Sequence, residues 1–184
     1  VSTSQIEFKK SIIALDFDGA SSVSTADLDN DGDLDVLGTA YYGNEVAYWE
    51  NNNTQLWTKH SIDANFVYPH YITKADIDGD TDLDIVGAGG YPGGVTWFEN
   101  IQNASNWSKH IVNDNFAGAI SLDVKDIDKD GDLDIIGAAS TADKISWFEN
   151  IDGKGLSWTE HIIGNNVNGA FSTYAVDIDN DGDL

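Results

Sequence analysis

One stretch is written four times along this chain, and it constrains the fold more than anything else in the sequence. It reads DLDNDGDLDVLG over residues 27–38, DIDGDTDLDIVG over 76–87, DIDKDGDLDIIG over 126–137 and DIDNDGDL over 177–184. Each complete copy sets five aspartates within nine residues. Carboxylates this close repel one another by about 1 kcal/mol per adjacent pair in water, and by more in a folded turn. A folded state therefore calls for a cation among them.

The spacing says which cation. Side chains at positions 1, 3, 5 and 9 of a loop, with glycine at position 6 permitting a sharp turn, converge hard oxygen ligands on one point, which suits calcium. Position 7 offers its backbone carbonyl, so Asp33, Asp82 and Asp132 are expected to turn their side chains to solvent. Oxygen ligands without His or Cys argue against zinc, and their number and flexibility favour calcium over magnesium. The competing reading is an acidic surface turn without metal, which the in-register repetition disfavours. The sequence argues against a full EF-hand: that motif needs Glu at position 12 and flanking helices, whereas Gly38, Gly87 and Gly137 stand there, next to strand-like Val36-Leu37 and Ile135-Ile136.

The formal charge is −23, and 19 of the 32 acids lie inside the four loops, so the acidity is local. Three divalent ions would reduce it to about −17, still a poor match for nucleic acid or an anionic membrane. With 41% hydrophobic and 11% aromatic residues the chain is core-forming. No apolar run approaches the ~20 residues of a membrane span, so no membrane insertion is expected. There is no Cys to report a redox compartment. Met is also absent and the chain begins Val-Ser-Thr, so an initiator and whatever preceded it are expected to have been removed. All-oxygen calcium sites fill where calcium is near millimolar, which points to an extracellular or cell-surface setting.

The repeat extends beyond the acidic loop. Phe8, Trp57, Trp107 and Trp158 occupy one position, followed nine residues later by Phe17, Phe66, Phe116 and Val167 and ten residues further on by the first aspartate. A third landmark follows each complete loop, as Tyr-Trp-Glu-Asn51, Trp-Phe-Glu-Asn100 and Trp-Phe-Glu-Asn150. Each unit of about 50 residues reads as four short strands, the first at 22–28 and 119–127, the second at 34–39 and 133–138, the third on the aromatic landmark and the fourth on Trp-Ser-Lys-His-Ile-Val. Large apolar neighbours such as Trp97 and Phe98 imply that both faces of the sheet are buried. This predicts an all-β fold of four-stranded antiparallel blades packed face to face around an axis, a β-propeller.

Residues 17–40, with Phe17, the aspartate loop and the closing Gly38-Thr39-Ala40, resemble the FG-GAP repeat, also called the VCBS repeat, of integrin α-subunits and many secreted bacterial proteins. The resemblance covers nearly the whole chain and implies one calcium-bearing propeller blade per repeat. It assigns calcium to Asp27, Asp29, Asp31 and Asp35, to Asp76, Asp78, Asp80 and Asp84, and to Asp126, Asp128, Asp130 and Asp134. About three complete sites result, with a fourth, truncated one at Asp177, Asp179 and Asp181. The sequence departs from the family where FG becomes Phe17-x-Gly19 and Phe116-x-Gly118, and where Thr81 replaces the position-6 glycine; Gly79 is a candidate to relieve that turn.

The implied organisation is one partial propeller domain over 1–184, with 1–13 the outer strand of another blade, then blades at 14–62, 63–112 and 113–163 and the start of a fourth at 164–184. Closed propellers need about 4 to 8 blades. The chain is therefore expected to be a section of a longer one, its remainder completing a ring of about seven blades.

Strand order puts the aspartate loops on one face and the connections between repeats on the other. On that other face the copies diverge: Tyr68 stands where other repeats have Gly19, Gly118 or Gly169, with Tyr41, Tyr42, His70, Tyr71 and Tyr91 nearby. Exposed tyrosines among Gly, Asn and His suit sugar rings or an extracellular protein; alternatively they pad the gaps between blades. His60, His110 and His161, and Glu50, Glu99 and Glu149, recur in single slots and read as structural. No non-repeating nucleophile, base and orienter stand out. Three functions stay open: a calcium-stabilised binding module of a secreted or surface protein, the scaffold of a polysaccharide-acting lyase or hydrolase, and a purely structural repeat.

Overall fold

A computed structural model describes residues 10–52, 56–89 and 93–184. Its first sheet comprises β1 (Ala20–Ala26), β2 (Asp35–Ala40), β3 (Glu45–Asn51) and β4 (Trp57–Asp63). The second comprises β5 (Pro69–Ala75), β6 (Asp84–Gly89), β7 (Val95–Ile101) and β8 (Asn106–Asn113), and the third β9 (Ala119–Lys125), β10 (Asp134–Ala139), β11 (Lys144–Asn150) and β12 (Trp158–Asn165). In every sheet the four strands follow chain order and pair antiparallel. No helix occurs among the described residues.

The register repeats with the sequence. The aspartate loop joins the first two strands of each sheet, whose last ladder pairs are Ala26 with Asp35, Ala75 with Asp84 and Lys125 with Asp134. A bulge recurs where the third strand meets the fourth, at Val46/Ala47, Val95/Thr96 and Ile145/Ser146. Bulges in one place in every sheet give each the same added twist, so successive sheets can stack alike.

Alternation on the third strand builds the core. Trp97 and Phe98 are both buried, yet Trp97 belongs to the apolar cluster shared with the third sheet and Phe98 to the one shared with the first. The middle sheet is thus covered on both faces. The period-2 geometry of a strand explains why two adjacent bulky residues occur where a one-sided sheet would alternate with a polar one.

The recurring phenylalanine and the glycine at position 12 explain each other. Phe17, Phe66 and Phe116 lie edge-on to Trp49, Phe98 and Phe148, with centroids 4.8, 5.6 and 5.1 Å apart. A Cβ on Gly38, Gly87 or Gly137 would meet those three rings at 3.2, 3.1 and 2.9 Å. Only hydrogen at that position lets the ring lie against the second strand.

The first strands sit side by side and are joined by side chains instead of a backbone ladder. Ser21 Oγ donates to the Pro69 carbonyl at 2.7 Å, and Lys74 Nζ to Ser24 Oγ at 3.0 Å. The fourth copy departs from expectation here. Residues 170–176 form no strand, although the Thr173 and Ala175 N–H groups reach Ser121 Oγ and Asp123 Oδ2 at 3.3 and 3.0 Å. In each other repeat the ladder partner of this segment is the strand after the aspartate loop. The outer strand expected within 1–13 lies mostly outside the described residues, and 10–13 form no strand. The three sheets do not close on themselves; the array is consistent with part of a propeller.

Candidate metal centre and the opposite face

Each loop folds around its own carboxylates. The position-6 N–H donates to the position-1 carboxylate, from Gly32 to Asp27 at 3.0 Å, Thr81 to Asp76 at 3.1 Å, Gly131 to Asp126 at 3.2 Å and Gly182 to Asp177 at 2.9 Å. The position-7 N–H donates to the position-5 carboxylate in all four, at 2.9, 2.9, 2.9 and 3.1 Å. These bonds wrap the backbone of each loop around its position-1 and position-5 carboxylates.

Three acidic side chains converge in each repeat, with one oxygen from each within 4.8 Å of the others. The groups are Asp27, Asp29 and Asp35; Asp76, Asp78 and Asp84; Asp126, Asp128 and Asp130; and Asp177, Asp179 and Asp181. Asp31, Asp80 and Asp134, expected as fourth ligands, lie outside these groups. So do the position-7 residues Asp33, Asp82 and Asp132; the Asp82 carboxylate instead accepts from Asn30 Nδ2 at 3.0 Å.

The donor set fits a hard divalent cation. All side-chain donors are carboxylates, and Asp126 Oδ1 is buried without a hydrogen-bond partner among the described residues. In the first two loops the position-5 N–H reaches the corresponding oxygen, at 3.1 and 3.0 Å. A buried carboxylate oxygen left unpaired is costly, and a cation would remove that cost.

The position-9 acid is the most buried member. Asp35, Asp84 and Asp134 are 0, 0 and 1% exposed. One oxygen of each accepts the N–H of position 2, from Leu28, Ile77 and Ile127 at 3.0, 2.9 and 3.1 Å. The other accepts the N–H of the landmark asparagine, from Asn51, Asn100 and Asn150 at 2.9, 2.8 and 2.9 Å. Burial pushes all three carboxyls above the ordinary range, Asp84 to about 7, against the opposing pull of these N–H groups.

The second loop holds a strained residue. Thr81 has φ 83°, where its counterparts Gly32, Gly131 and Gly182 have 94°, 101° and 96°. A β-branched residue in this region costs on the order of 1 kcal/mol or more. Gly79 (φ 74°) lies at position 4, where Asn30, Lys129 and Asn180 also have positive φ, so it eases a different residue. Thr81→Gly is expected to raise the unfolding free energy by about 1 kcal/mol, read as a higher urea midpoint at unchanged slope.

The histidine and glutamate slots are structural. His60, His110 and His161 lie flat on Tyr48, Trp97 and Trp147, with centroids 4.8, 4.4 and 4.5 Å apart, and bond to Glu50, Glu99 and Glu149 at 2.8, 2.7 and 2.5 Å.

A sequence model of FG-GAP-like repeats matches residues 27–87, 76–137 and 126–184, each match running from one aspartate loop into the next. The chain belongs to the FG-GAP-like repeat family. No curated protein matches. Among solved structures, an Agrocybe aegerita lectin, described for specific recognition of non-reducing terminal N-acetylglucosamine, superposes with a TM-score of 0.54 at 22% identity. The likeness covers 79% of this chain and 38% of the lectin, so the chain spans well under half of that relative's length. At this identity the likeness concerns the fold.

On the face away from the FG-GAP loops, four of the singled-out residues come together. Tyr41 contacts Tyr42 edge-on at 5.0 Å, stacks on Tyr68 at 5.0 Å and meets His70 at 4.9 Å. Tyr42 and Tyr68 are 68 and 41% exposed. Burial lowers the pKa of His70, favouring the neutral imidazole. Tyr71 points away, packing on the core between the second and third sheets, and Tyr91 lies outside the described residues. Tyr68 has φ 44°, a conformation its counterparts Gly19, Gly118 and Gly169 adopt at 71°, 74° and 64° without a side chain.

Proposed function

We propose that this chain is a calcium-binding section of an extracellular β-propeller that binds glycan through the tyrosine face and carries out no catalysis. The observation that carries the reading is the cluster of Tyr41, Tyr42, Tyr68 and His70, assembled from two repeats where the copies differ. Backbone strain kept at Tyr68 motivates a functional role for its ring. Tyrosine faces stack on the apolar side of a pyranose while hydroxyl and imidazole groups meet its polar edge. A lectin built on a similar fold is consistent with this.

Calcium is supported by the carboxylate groups of every repeat and by the buried Asp126 oxygen that has no hydrogen-bond partner among the described residues. Proposed blades run over 14–62, 63–112 and 113–163, with a fourth beginning at 164 and the remaining blades on further chain. Exposed apolar side chains at both ends of the array favour further blades: Leu15 and Val23 of the first repeat, Tyr174 and Ile178 of the fourth. An extracellular location follows from the calcium concentration that such sites require.

A glycan array probed with the calcium-loaded chain tests the reading. Binding to a defined set of glycans is expected, with at least a tenfold loss (about 1.4 kcal/mol) in Tyr41→Ala and Tyr68→Ala variants of unchanged circular dichroism. A blank array, or binding indifferent to both substitutions, would overturn it.

A further inference from the structure

The landmark asparagine does more than close its own loop. Asn100 gives its N–H to Asp84 of the second loop, and its side-chain Nδ2 donates to the Leu28 carbonyl of the first loop at 2.9 Å. Leu28 lies between Asp27 and Asp29, and its own N–H is held by Asp35 at 3.0 Å. Asn150 repeats the arrangement one unit on, with its N–H on Asp134 and its Nδ2 on the Ile77 carbonyl at 3.2 Å. Ile77 in turn donates its N–H to Asp84.

These bonds join into one line: Asp35, Leu28, Asn100, Asp84, Ile77, Asn150, Asp134. Every member is at most 2% exposed, so water is excluded from each link. The line passes through the position-9 acid of all three complete loops. Two exposed links run beside it, from Asn30 to Asp82 and from Lys154 Nζ to the Asp78 carbonyl oxygen.

We infer that Asn100 and Asn150 are positioning residues that couple the metal loops, so that an ion in one loop orders the ligands of the next. This rests on the loops binding calcium. An ion drawing on Asp84 fixes the carboxylate that holds both the Ile77 N–H and the Asn100 N–H. Fixing Asn100 sets the Leu28 peptide, and with it the separation of Asp27 from Asp29. Partners that orient a ligand in this way typically change metal affinity 10–100-fold. Hydrogen bonds in a dry chain reinforce one another, which suits them to transmit the constraint.

Calorimetric titration of calcium into the chelator-stripped chain tests this, comparing the wild type with Asp78→Asn at 0.15 M salt, where charges beyond about 8 Å are largely screened. The substitution is expected to abolish the second site and weaken the remaining sites about tenfold. In an Asn100→Ala, Asn150→Ala background the same substitution should leave the remaining sites as they were before it, closing a double-mutant cycle. Sites that keep wild-type affinity in Asp78→Asn would overturn the coupling while leaving the calcium reading intact. A coupling that survives in the alanine background would overturn the role of the asparagines. Absence of binding heat and of any thermal shift in the wild type would sink the calcium reading and the inference together. If the alanine variants do not fold, Asp78→Asn still decides whether the loops are coupled, since it changes a half-buried loop residue whose carboxylate accepts the Asp80 N–H of its own loop. Asn100→Asp, which keeps the side-chain oxygen but loses the Nδ2 donor, then takes the place of the alanine variants.

Discussion

Stripping calcium with a chelator should lower the melting temperature of this chain by about 16–32 °C, the largest single change expected of it. The size follows from mass action. A ligand bound only to the native state at a hundred times its dissociation constant stabilises by about 2.7 kcal/mol per site, so three complete loops contribute about 8 kcal/mol. For a chain of this size 1 kcal/mol corresponds to about 2–4 °C. The structural cause is visible in the loops, where three carboxylates converge within 4.8 Å and Asp126 Oδ1 is buried without a partner among the described residues. Scanning calorimetry with excess calcium and with excess chelator measures the difference, and magnesium should restore only a small part of it because these flexible, multi-oxygen loops favour the larger ion. A melting temperature indifferent to chelator would end the metal assignment.

Much of this fold was legible because its units are local. Antiparallel strands separated by a fixed loop announce themselves by spacing alone, and the observed β1, β2, β9 and β10 fall within two residues of the sequence reading, at 20–26, 35–40, 119–125 and 134–139. The adjacent pair Trp97 and Phe98 correctly implied a sheet buried on both faces, since a strand sends neighbours to opposite sides. What sequence could not give was the partner across repeats. Asn100 and Asn150 stood out by recurrence, but their bonds reach carbonyls 72 and 73 residues away, and no local pattern encodes such a distance.

The same limit applies to the sites. Position-9 aspartates read as calcium ligands on a par with those at positions 1, 3 and 5, yet Asp35, Asp84 and Asp134 are the buried keystones of their loops, because the asparagine of the third strand closes over them. Tyr68 could be flagged by the glycine it replaces, and its stacking on Tyr41 follows from two connections meeting across adjacent repeats. Tyr71, one residue beyond His70, was grouped with the cluster by proximity in sequence. Strand alternation sends it to the opposite side, into the core.

Asp84 yields the second large effect. Asp84→Ala removes the acceptor for two buried N–H groups, those of Ile77 and Asn100. At about 1–3 kcal/mol for each orphaned donor, the calcium-free variant should lose roughly 2–6 kcal/mol at pH 5. Asp84→Asn removes the ionisable group and keeps one of the two acceptors, since its Oδ1 can still take one N–H while its Nδ2 faces the other. Burial raises the Asp84 carboxyl in the fold to about 7 from an ordinary 3.8, so the folded state binds the proton more tightly than the unfolded one. Its stabilising contribution is complete below about pH 4 and is lost as the pH rises towards and through 7. The calcium-free wild type should therefore melt lower at pH 8 than at pH 5. Asn, which stays neutral, should show a smaller drop over that interval. With calcium the order reverses: the ion requires the ionised carboxylate, metal binding releases its proton, and wild-type stability rises with pH relative to the Asn variant. Urea melts of both proteins at the two pH values, with and without calcium, give the sign of each change. A calcium-free wild type whose pH dependence matches that of Asp84→Asn would show that the buried carboxylate is not the group that links the fold to the proton.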